Sequence, residues 1–261
     1  MDWLNINVLY FQYFILVLAR MVSMITMAPI LGSGTVPPQA KIGVGFMLSI
    51  IVFPIVSRNF PPIPADTILF FGMIIKEFMV GALFGLMGAA LFAGVQLSGQ
   101  IFGMQLGFGI VNVIDPLSDL QVSILGQFEF LLAVLLFIAV DGHHLLLLSI
   151  ANSYHYVPMS SFHMSPPLAG EIADLLAKIF VIAYKVGFPM IAAIFIVNVA
   201  MGLIARTVPQ MNIFIVGLPL NIFVGLSIMA MSMGFLFFVL RAHFDELFRE
   251  VITVFRIAGG T

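Results

Sequence analysis

The sequence predicts an all-α fold built from membrane-associated helical hairpins, and three observations lead to this prediction. Hydrophobic residues make up 62% of the 261 residues, whereas charged residues make up only 8%. The mean hydropathy is +1.17. The apolar residues fall into runs of helix length, and clusters of glycine and proline separate these runs. So few charges cannot cover the surface of a soluble protein of this size, so we expect an integral membrane protein or a subunit buried in one.

The first two apolar runs differ in length. Val8 to Ala28 has roughly the 20 residues that a helix needs to cross a hydrocarbon core, although it contains Arg20. A charge at that depth costs about 3 kcal/mol. We therefore expect Arg20 to snorkel, to pair with another group, or to lie in a helix that does not span in the ordinary way. After a connection rich in glycine and proline, the run from Ile42 to Val56 is short for a crossing, which is typical of a buried or re-entrant helix.

The middle of the chain carries acidic residues inside apolar runs. One long apolar stretch extends from Thr67 to Gly107 and is interrupted only by Lys76 and Glu77. Adjacent residues on a helix point in different directions, so these two should not pair with each other and could each pair with another chain. A shorter run from Gln127 to Val140 contains Glu129. Charges inside apolar helices indicate packing on protein rather than on lipid.

A polar segment follows the middle of the chain. Ser149 to Gly170 contains several prolines, serines and histidines, and this composition predicts the largest water-exposed loop of the molecule. We expect the next helix to begin near Glu171, where the apolar periodicity resumes.

The last two apolar runs predict a helical hairpin. They extend from Ile179 to Ala205 and from Ile213 to Leu240, and the sequence RTVPQMN separates them. Lys185 and Pro189 are expected to interrupt the first arm. In the tail after residue 240, charges of both signs alternate with apolar residues at helical spacing. This pattern predicts an amphipathic helix at the membrane surface or on a partner.

The helix that precedes the centre of the chain carries small residues at intervals of four. In a helix this spacing places small residues on one face, where another backbone can approach closely. We therefore predict a helix-packing groove that serves as a protein-contact face. Its glycines are Gly81, Gly85, Gly99 and Gly103.

The segment after this helix is an unusual loop, because it contains helix breakers and is nevertheless apolar. The breakers are Gly107, Gly109, Asn112 and the pair Asp115 and Pro116. Between them lie Phe108, Ile110, Val111, Val113 and Ile114. Irregular backbone is tolerated at membrane depth only where protein covers it or where it lines a cavity. The loop is therefore predicted to be held inside an assembly, and the alternative is a simple kink between two packed helices.

The sequence contains few candidates for chemistry. HExxH, GxSxG and GxGD patterns are absent from it, and so are cysteines, so thiolate metal sites and disulfides are excluded. A net charge of −2 offers no basic patch for nucleic acid. Asp141, His143 and His144 form the best cluster. They could bind a metal or relay protons, or they could cap a helix or lie at an interface, which we favour because adjacent histidines chelate one ion poorly.

Two classes of function fit these features. An enzyme is a third class, and it fits them least well. A secondary transporter would show paired repeats, broken helices and an ion site near the bilayer midplane. The chain has broken helices but no matched repeat. A subunit of a pore built from several chains explains more, because it accounts for the glycine groove, the short spans and an apolar loop that could close a channel by excluding water.

Four ordered blocks of the sequence carry a family resemblance that covers nearly the whole length. The blocks are LARMVSMITMAPILGSGTVPPQAKIG from Leu18, GQIFGMQLGFGIVNVIDP from Gly99, LLFIAVDGHHLLLLSIANSY from Leu135, and MGLIARTVPQMNIFIVGLPL from Met201. In these blocks the chain resembles the FliR family of flagellar export-gate proteins, which is shared with virulence-type type III secretion systems. The sequences PQMNIF and GLPL favour the flagellar branch, with the equivalent injectisome subunit as the alternative.

The resemblance implies an architecture and a set of partners. Residues 1–175 would form a FliP-like part, and residues 176–261 would form a FliQ-like hairpin with its tail, within one export-gate domain. FliP and FliQ would be assembly partners in a closed entry portal, FlhB and FlhA further partners, and unfolded flagellar proteins the cargo. The implied location is the flagellar basal body in the bacterial inner membrane, with several membrane passes, no catalysis and no cofactor.

The resemblance also implies roles for two segments. The family's plug loop would fall on Gly107 to Leu120, the apolar loop described above, and would seal the pore. Its predicted residues are Gly107, Phe108, Gly109, Ile110, Val111, Asn112, Val113, Ile114, Asp115 and Pro116. The tip of the C-terminal hairpin would face the cytoplasmic side, with a packing role for Gln210 and Asn212 as the alternative. The residues of the tip are Arg206, Pro209, Gln210 and Asn212.

Overall fold

The computed structural model describes residues 3–56, 60–108 and 123–260, and side chains from residue 8 onward except those of residues 213–214. The regular structure of these residues is entirely helical, which confirms the predicted all-α class. In chain order, the helices in the described ranges are α1 Trp3–Met27, α2 Pro38–Val56, α3 Thr67–Gln105, α4 Ile124–Ala139, α5 Gly142–Tyr156, α6 Pro166–Thr207, α7 Ile213–Met231 and α8 Met233–Gly259.

Four helices in the described ranges are long and apolar enough to cross a membrane. They are Val8–Met27 within α1, then α2, α3 and α6. The pairs α4 with α5 and α7 with α8 each reach this length only as a bent span, so the described residues provide up to six crossings. The chain is therefore built as a multi-pass membrane protein.

Helix α2 differs from the expectation of a short buried helix. It begins at Pro38, four residues before the apolar run, because proline is well suited to the first turn of a helix. Its 19 residues suffice for a span, and only 17% of its apolar window is buried within the chain. Within this chain the helix is not buried, since it presents most of its surface outward. The re-entrant alternative stays a prediction.

The prediction of a water-exposed loop between residues 149 and 170 is also wrong. Helix α5 continues to Tyr156, and α6 already begins at Pro166, so the non-helical connection is short. Ser165 precedes two prolines and accepts a hydrogen bond from the backbone N–H of Leu168 at 3.4 Å. This is the arrangement of an N-cap. Within the connection the apolar side chains of Val157, Met159 and Phe162 are buried.

Helix α6 runs without interruption through Lys185 and Pro189, contrary to the expected break. Membrane helices tolerate proline where neighbouring groups satisfy the freed carbonyl. The predicted hairpin of α6 and α7 is present. Asn221 donates its amide to Asn198 Oδ1 at 2.9 Å, and a Cβ at Gly225 would lie 3.2 Å from Ile194 Cδ1. From the first contact to the second, the residue number rises by four on α7 and falls by four on α6. The two helices are therefore antiparallel.

The chain divides into two compact units. Unit 1 consists of Met1–Ala90, Asp141–Leu175 and Asp245–Thr261, and unit 2 consists of Leu91–Val140 and Leu176–Phe244. One boundary coincides with the predicted division between residues 175 and 176, but the first 175 residues contribute to both units. The assignment of FliP-like and FliQ-like parts stays a prediction.

The core of unit 1 is built on α1. Its side chains Leu16, Val17, Met21 and Ile25 are fully buried. Helix α2 packs on α1 through aromatic contacts, with ring centroids of Phe14 and Phe46 at 5.4 Å.

The end of the amphipathic tail also belongs to the core of unit 1. Phe255 of α8 stacks on Phe84 of α3, with ring centroids 5.7 Å apart. The amphipathic helix predicted for the tail is present, but its apolar side covers this chain rather than a membrane surface or a partner.

The core of unit 2 joins the end of α3 to α4, α6 and α7. Its buried cluster consists of Phe102, Leu106, Leu125, Met190, Ile194 and Met229, with Phe108 packed against it. A second group of aromatic rings centres on Phe137, whose ring lies 5.6 Å from that of Phe92 and 5.3 Å from that of Phe244.

Two glycines of α3 provide a matched test of close helix packing. A Cβ added at Gly81 would collide with the Arg20 carbonyl and the Ser23 hydroxyl, whereas a Cβ at Gly72 would have no atom within 4 Å. We predict that Gly81→Ala lowers the apparent midpoint of thermal unfolding in detergent, because overpacking costs about 1–3 kcal/mol. The control Gly72→Ala should leave it unchanged or raise it, because alanine is the better helix former by about 1 kcal/mol. Equal effects of the two variants would contradict this packing.

Candidate functional site

The end of α3 is defined by hydrogen bonds that stop the helix at the start of the predicted plug loop. Gly107 has a φ of 93°, which is accessible to glycine at little cost. Its N–H donates to the Met104 carbonyl at 3.1 Å, and the N–H of Phe108 donates to the Gly103 carbonyl at 3.1 Å. This pair of bonds is a Schellman motif. Gly107 therefore ends the helix, as the breaker pattern predicts.

The chain returns to α3 at Ser123, where α4 begins. The Ser123 hydroxyl donates to the Gly99 carbonyl at 3.2 Å and accepts from the Gly126 N–H at 3.5 Å as the N-cap of α4. A Cβ at Gly103 would collide with this hydroxyl. Both ends of the segment between residues 108 and 123 are thus attached to the last two turns of α3.

Helices α3 and α4 approach each other backbone to backbone at this point. A Cβ at Gly99 would lie 2.5 Å from Gly126 Cα, and a Cβ at Gly126 would lie 2.8 Å from the Gln96 carbonyl oxygen. Such spacing excludes any residue larger than glycine unless the helices separate. The two glycines therefore fix the distance between the helices that carry the ends of the loop.

The other two groove glycines contact α1. A Cβ at Gly85 would lie 2.5 Å from Met27 Cβ and 2.7 Å from the Met24 carbonyl, and Gly81 meets Arg20 and Ser23 as described above. All four predicted groove glycines thus face other segments of the same chain. The predicted plug residues Gly107 and Phe108 are described, whereas Gly109, Ile110, Val111, Asn112, Val113, Ile114, Asp115 and Pro116 lie outside the described residues.

A buried charged network forms the second candidate site. Arg20 is 0% exposed and Glu77 is 1% exposed, and Arg20 Nε donates to Glu77 Oε2 at 2.7 Å. Of the three possibilities for Arg20, pairing is the correct one. The expectation that Glu77 pairs with another chain is wrong, because its partner lies in α1 of the same chain.

The guanidinium is satisfied by α5 and the residue that follows it. Nη1 donates to Ser153 Oγ at 3.0 Å, and both terminal nitrogens donate to the Val157 carbonyl at 3.1 Å. The guanidinium carbon lies 3.9 Å from the centre of the Tyr154 ring, which adds a cation–π contact. Three helices and one connection therefore meet at a single buried cation.

The Lys76 and Glu77 pair on α3 holds the connection after α5. Glu77 Oε1 accepts from the Ser160 N–H at 2.7 Å, and Lys76 Nζ donates to the Ser160 carbonyl at 3.2 Å. Ser160 has a φ of 66°, a left-handed conformation that costs a residue with a side chain about 1–3 kcal/mol. The two charged side chains stabilise this turn. Lys76 thus also has its partner within the chain.

The Asp141, His143 and His144 cluster lies at the start of α5. One ligand atom from each residue lies within 4.8 Å of the others. His144 Nδ1 is 3.5 Å from Asp141 Oδ1, and both side chains are more than two-thirds exposed. Asp141 occupies the N-cap position with a φ of 55° but makes no side-chain capping bond. The capping interpretation is therefore wrong for its carboxylate, and an exposed pair of this kind adds little stability.

The predicted hairpin tip is an exposed turn between α6 and α7. Arg206, Pro209, Gln210 and Asn212 are all exposed. Asn212 Oδ1 accepts from the Ile215 N–H at 3.4 Å and so caps α7. The Gln210 side chain is exposed in this turn.

Sequence reasoning missed the Arg20 and Glu77 pair and the role of residues 157–160. One signal was available. Arg20 and Glu77 are opposite charges that each interrupt an apolar run, and buried charges are usually paired. Because 57 positions separate the two residues in the sequence, the sequence did not show that they pair with each other.

Comparisons with known proteins agree with the resemblance. The family model "Bacterial export proteins, family 1" matches residues 11–247. The chain is similar to the flagellar biosynthetic protein FliR of Bacillus subtilis (strain 168), with 34% identity over 95% of this chain and 96% of the relative. It is also similar to FliR of Escherichia coli (strain K12), with 29% identity over 95% of this chain and 92% of the relative. FliR of Aquifex aeolicus (strain VF5) is 27% identical over 88% of each chain.

The buried ion pair predicts a non-additive response to mutation. Glu77→Ala should lower the free energy of unfolding in mixed detergent micelles by about 3–5 kcal/mol, because it strands the Arg20 charge in the core. The double variant Arg20→Met/Glu77→Met should lose less than the sum of its single variants. The control Asp141→Asn removes the carboxylate of an exposed pair and should change stability by less than about 1 kcal/mol. Additive losses in the double variant would exclude a coupled pair.

Proposed function

Since the chain belongs to the bacterial export proteins of family 1, we infer that it is a subunit of the flagellar type III protein export apparatus. The family match and the FliR relatives cover nearly its whole length. The several apolar helices make it a multi-pass membrane component of that apparatus. The finer assignment concerns its place in the gate, its partners and the role of its central loop.

We propose that the chain joins FliP and FliQ in a closed entry portal through which unfolded flagellar proteins leave the cell, with FlhB and FlhA as further partners. The portal would lie in the bacterial inner membrane at the flagellar basal body. The apolar faces that the single chain leaves exposed support an assembly. Helices α2 and α6 bury only 17% of their apolar windows within the chain. The subunit would act by its shape and would not catalyse a reaction or bind a cofactor.

One observation carries the proposal for the loop. Both ends of the apolar segment are attached to α3, by the Schellman motif at Gly107 and by the Ser123 bond to Gly99. A segment closed at its base in this way can occupy a pore without unravelling the helices that hold it. Its apolar residues would exclude water and ions from the channel, so Gly107 to Leu120 is proposed as the plug.

Assembly is tested by co-purification. The tagged chain, expressed with FliP-like and FliQ-like chains, should elute with them in one complex of fixed composition. An isolated monomer that transports a small solute in liposomes would instead support the secondary transporter and reject the export gate. The exposed variant Gly34→Ala, where a Cβ would have no atom within 4 Å, serves as the matched control for expression and folding.

The plug is tested by conductance. Deletion of residues 110–114 should raise the ion conductance of the assembled complex in planar bilayers, because the apolar part of the seal is removed while both anchors at Gly107 and Ser123 remain. The intact complex and the Gly34→Ala complex should stay closed. Unchanged conductance after the deletion, in a complex that still contains all its subunits, would rule out this loop as the seal.

A further inference from the structure

Unit 2 contains a buried carboxyl group that belongs neither to the proposed plug nor to its two anchors. Glu129 of α4 and Ser98 of α3 are both 0% exposed. The Ser98 hydroxyl lies beside the Glu129 carboxyl, and neither carboxyl oxygen has a protein hydrogen-bond partner of good geometry. The Ser98 oxygen is likewise without one. Three oxygen atoms thus converge in the interior without a positive partner.

The described residues of α3 and α6 beside these oxygens provide no positive charge. The residue of α6 that meets Ser98 is Gly187, where a Cβ would lie 2.8 Å from the hydroxyl, and glycine has no side chain to offer. The nearest charge along α6 is Lys185, which is exposed. On α3, the neighbouring polar residues are the uncharged Gln96 and Gln100.

Glu129 is also the only acidic residue in the described part of unit 2, because Asp115 and Asp119 lie outside the described residues. It cannot share a proton with a second carboxyl there. An ion pair like that of Arg20 and Glu77 in unit 1 is not formed.

A bare carboxylate is too costly to bury in such a place. Desolvation of an unpaired charge costs several kcal/mol even after relaxation, and an ionisable residue inside a membrane protein usually marks a path or site for an ion. A divalent metal ion does not fit, because one carboxylate would leave it with a net positive charge in an apolar interior. The positive partner of the Glu129 carboxylate is therefore a small monovalent cation.

We propose that Glu129 and Ser98 form a binding site for one monovalent cation, either a proton or Na⁺. With a proton, one carboxyl oxygen carries the hydrogen and the Ser98 hydroxyl is its hydrogen-bonding neighbour. With Na⁺, the carboxylate and the hydroxyl are both ligands. Glu129 lies six residues after Ser123, so occupancy acts on the helix that carries the second anchor of the loop. The site belongs to this chain alone and does not require the export-gate assignment.

The cation is identified by infrared spectroscopy of the purified full-length chain in detergent near neutral pH, recorded with and without Na⁺. A proton predicts a C=O band of a protonated carboxylic acid that is independent of Na⁺ and is lost in Glu129→Gln. Sodium predicts carboxylate bands that convert into the protonated band when Na⁺ is withdrawn. The exposed control Asp174→Asn should leave the protonated band in place. Carboxylate bands of Glu129 that persist with and without Na⁺ would overturn the proposal.

A chemical measurement on the wild-type chain avoids dependence on the folding of a variant. Dicyclohexylcarbodiimide reacts with protonated carboxyl groups in apolar surroundings, and mass spectrometry locates the adduct. We expect an adduct on Glu129 and none on Asp174, and added Na⁺ should protect Glu129 only if Na⁺ is the ligand. Absence of the adduct both with and without Na⁺ would count against a proton or Na⁺ at this site. Ser98→Ala should shift the infrared band of Glu129, because it removes the neighbouring hydroxyl.

Discussion

The burial of one positive charge constrains unit 1 more than any other single feature. A guanidinium has five N–H donors and no acceptor, and Arg20 is completely buried in an apolar helix. Only a carboxylate with several further acceptors can compensate the lost hydration. Glu77 of α3, Ser153 of α5 and the Val157 carbonyl meet this demand together. The relative placement of α1, α3 and α5 is therefore determined by a charge that would otherwise be unpaired.

Close contact between backbones is the second constraint, and it concerns α3. Lipid tails are as apolar as the side chains of a membrane helix, so helices associate through close packing and polar contacts. Gly81 and Gly85 allow α1 to pack closely on α3 in unit 1, and Gly99 allows Gly126 of α4 to pack closely on α3 in unit 2. One helix thus provides a packing surface in each unit, with glycine at the positions where a neighbour would otherwise collide.

The segment proposed as the plug begins and ends at two further contacts with α3. The Schellman motif at Gly107 and the N-cap at Ser123 attach the loop to the same end of α3. In the proposed plug, these two anchors would hold the ends of the segment while the helices at its base stay packed.

The sequence by itself determined the helical class, the first and third helices, the C-terminal hairpin and the family. These features depend on local patterns such as apolar run length, helix breakers and ordered blocks of residues. Only the tertiary structure decided which charges are paired and which polar segments are covered. Ser149 to Gly170 is polar in composition, yet Val157 and Phe162 enter the core, and Arg20 finds its partner 57 residues away. The reason is physical: periodicity along a helix records which face is apolar, whereas the partner of a buried charge depends on which distant segment is folded against it.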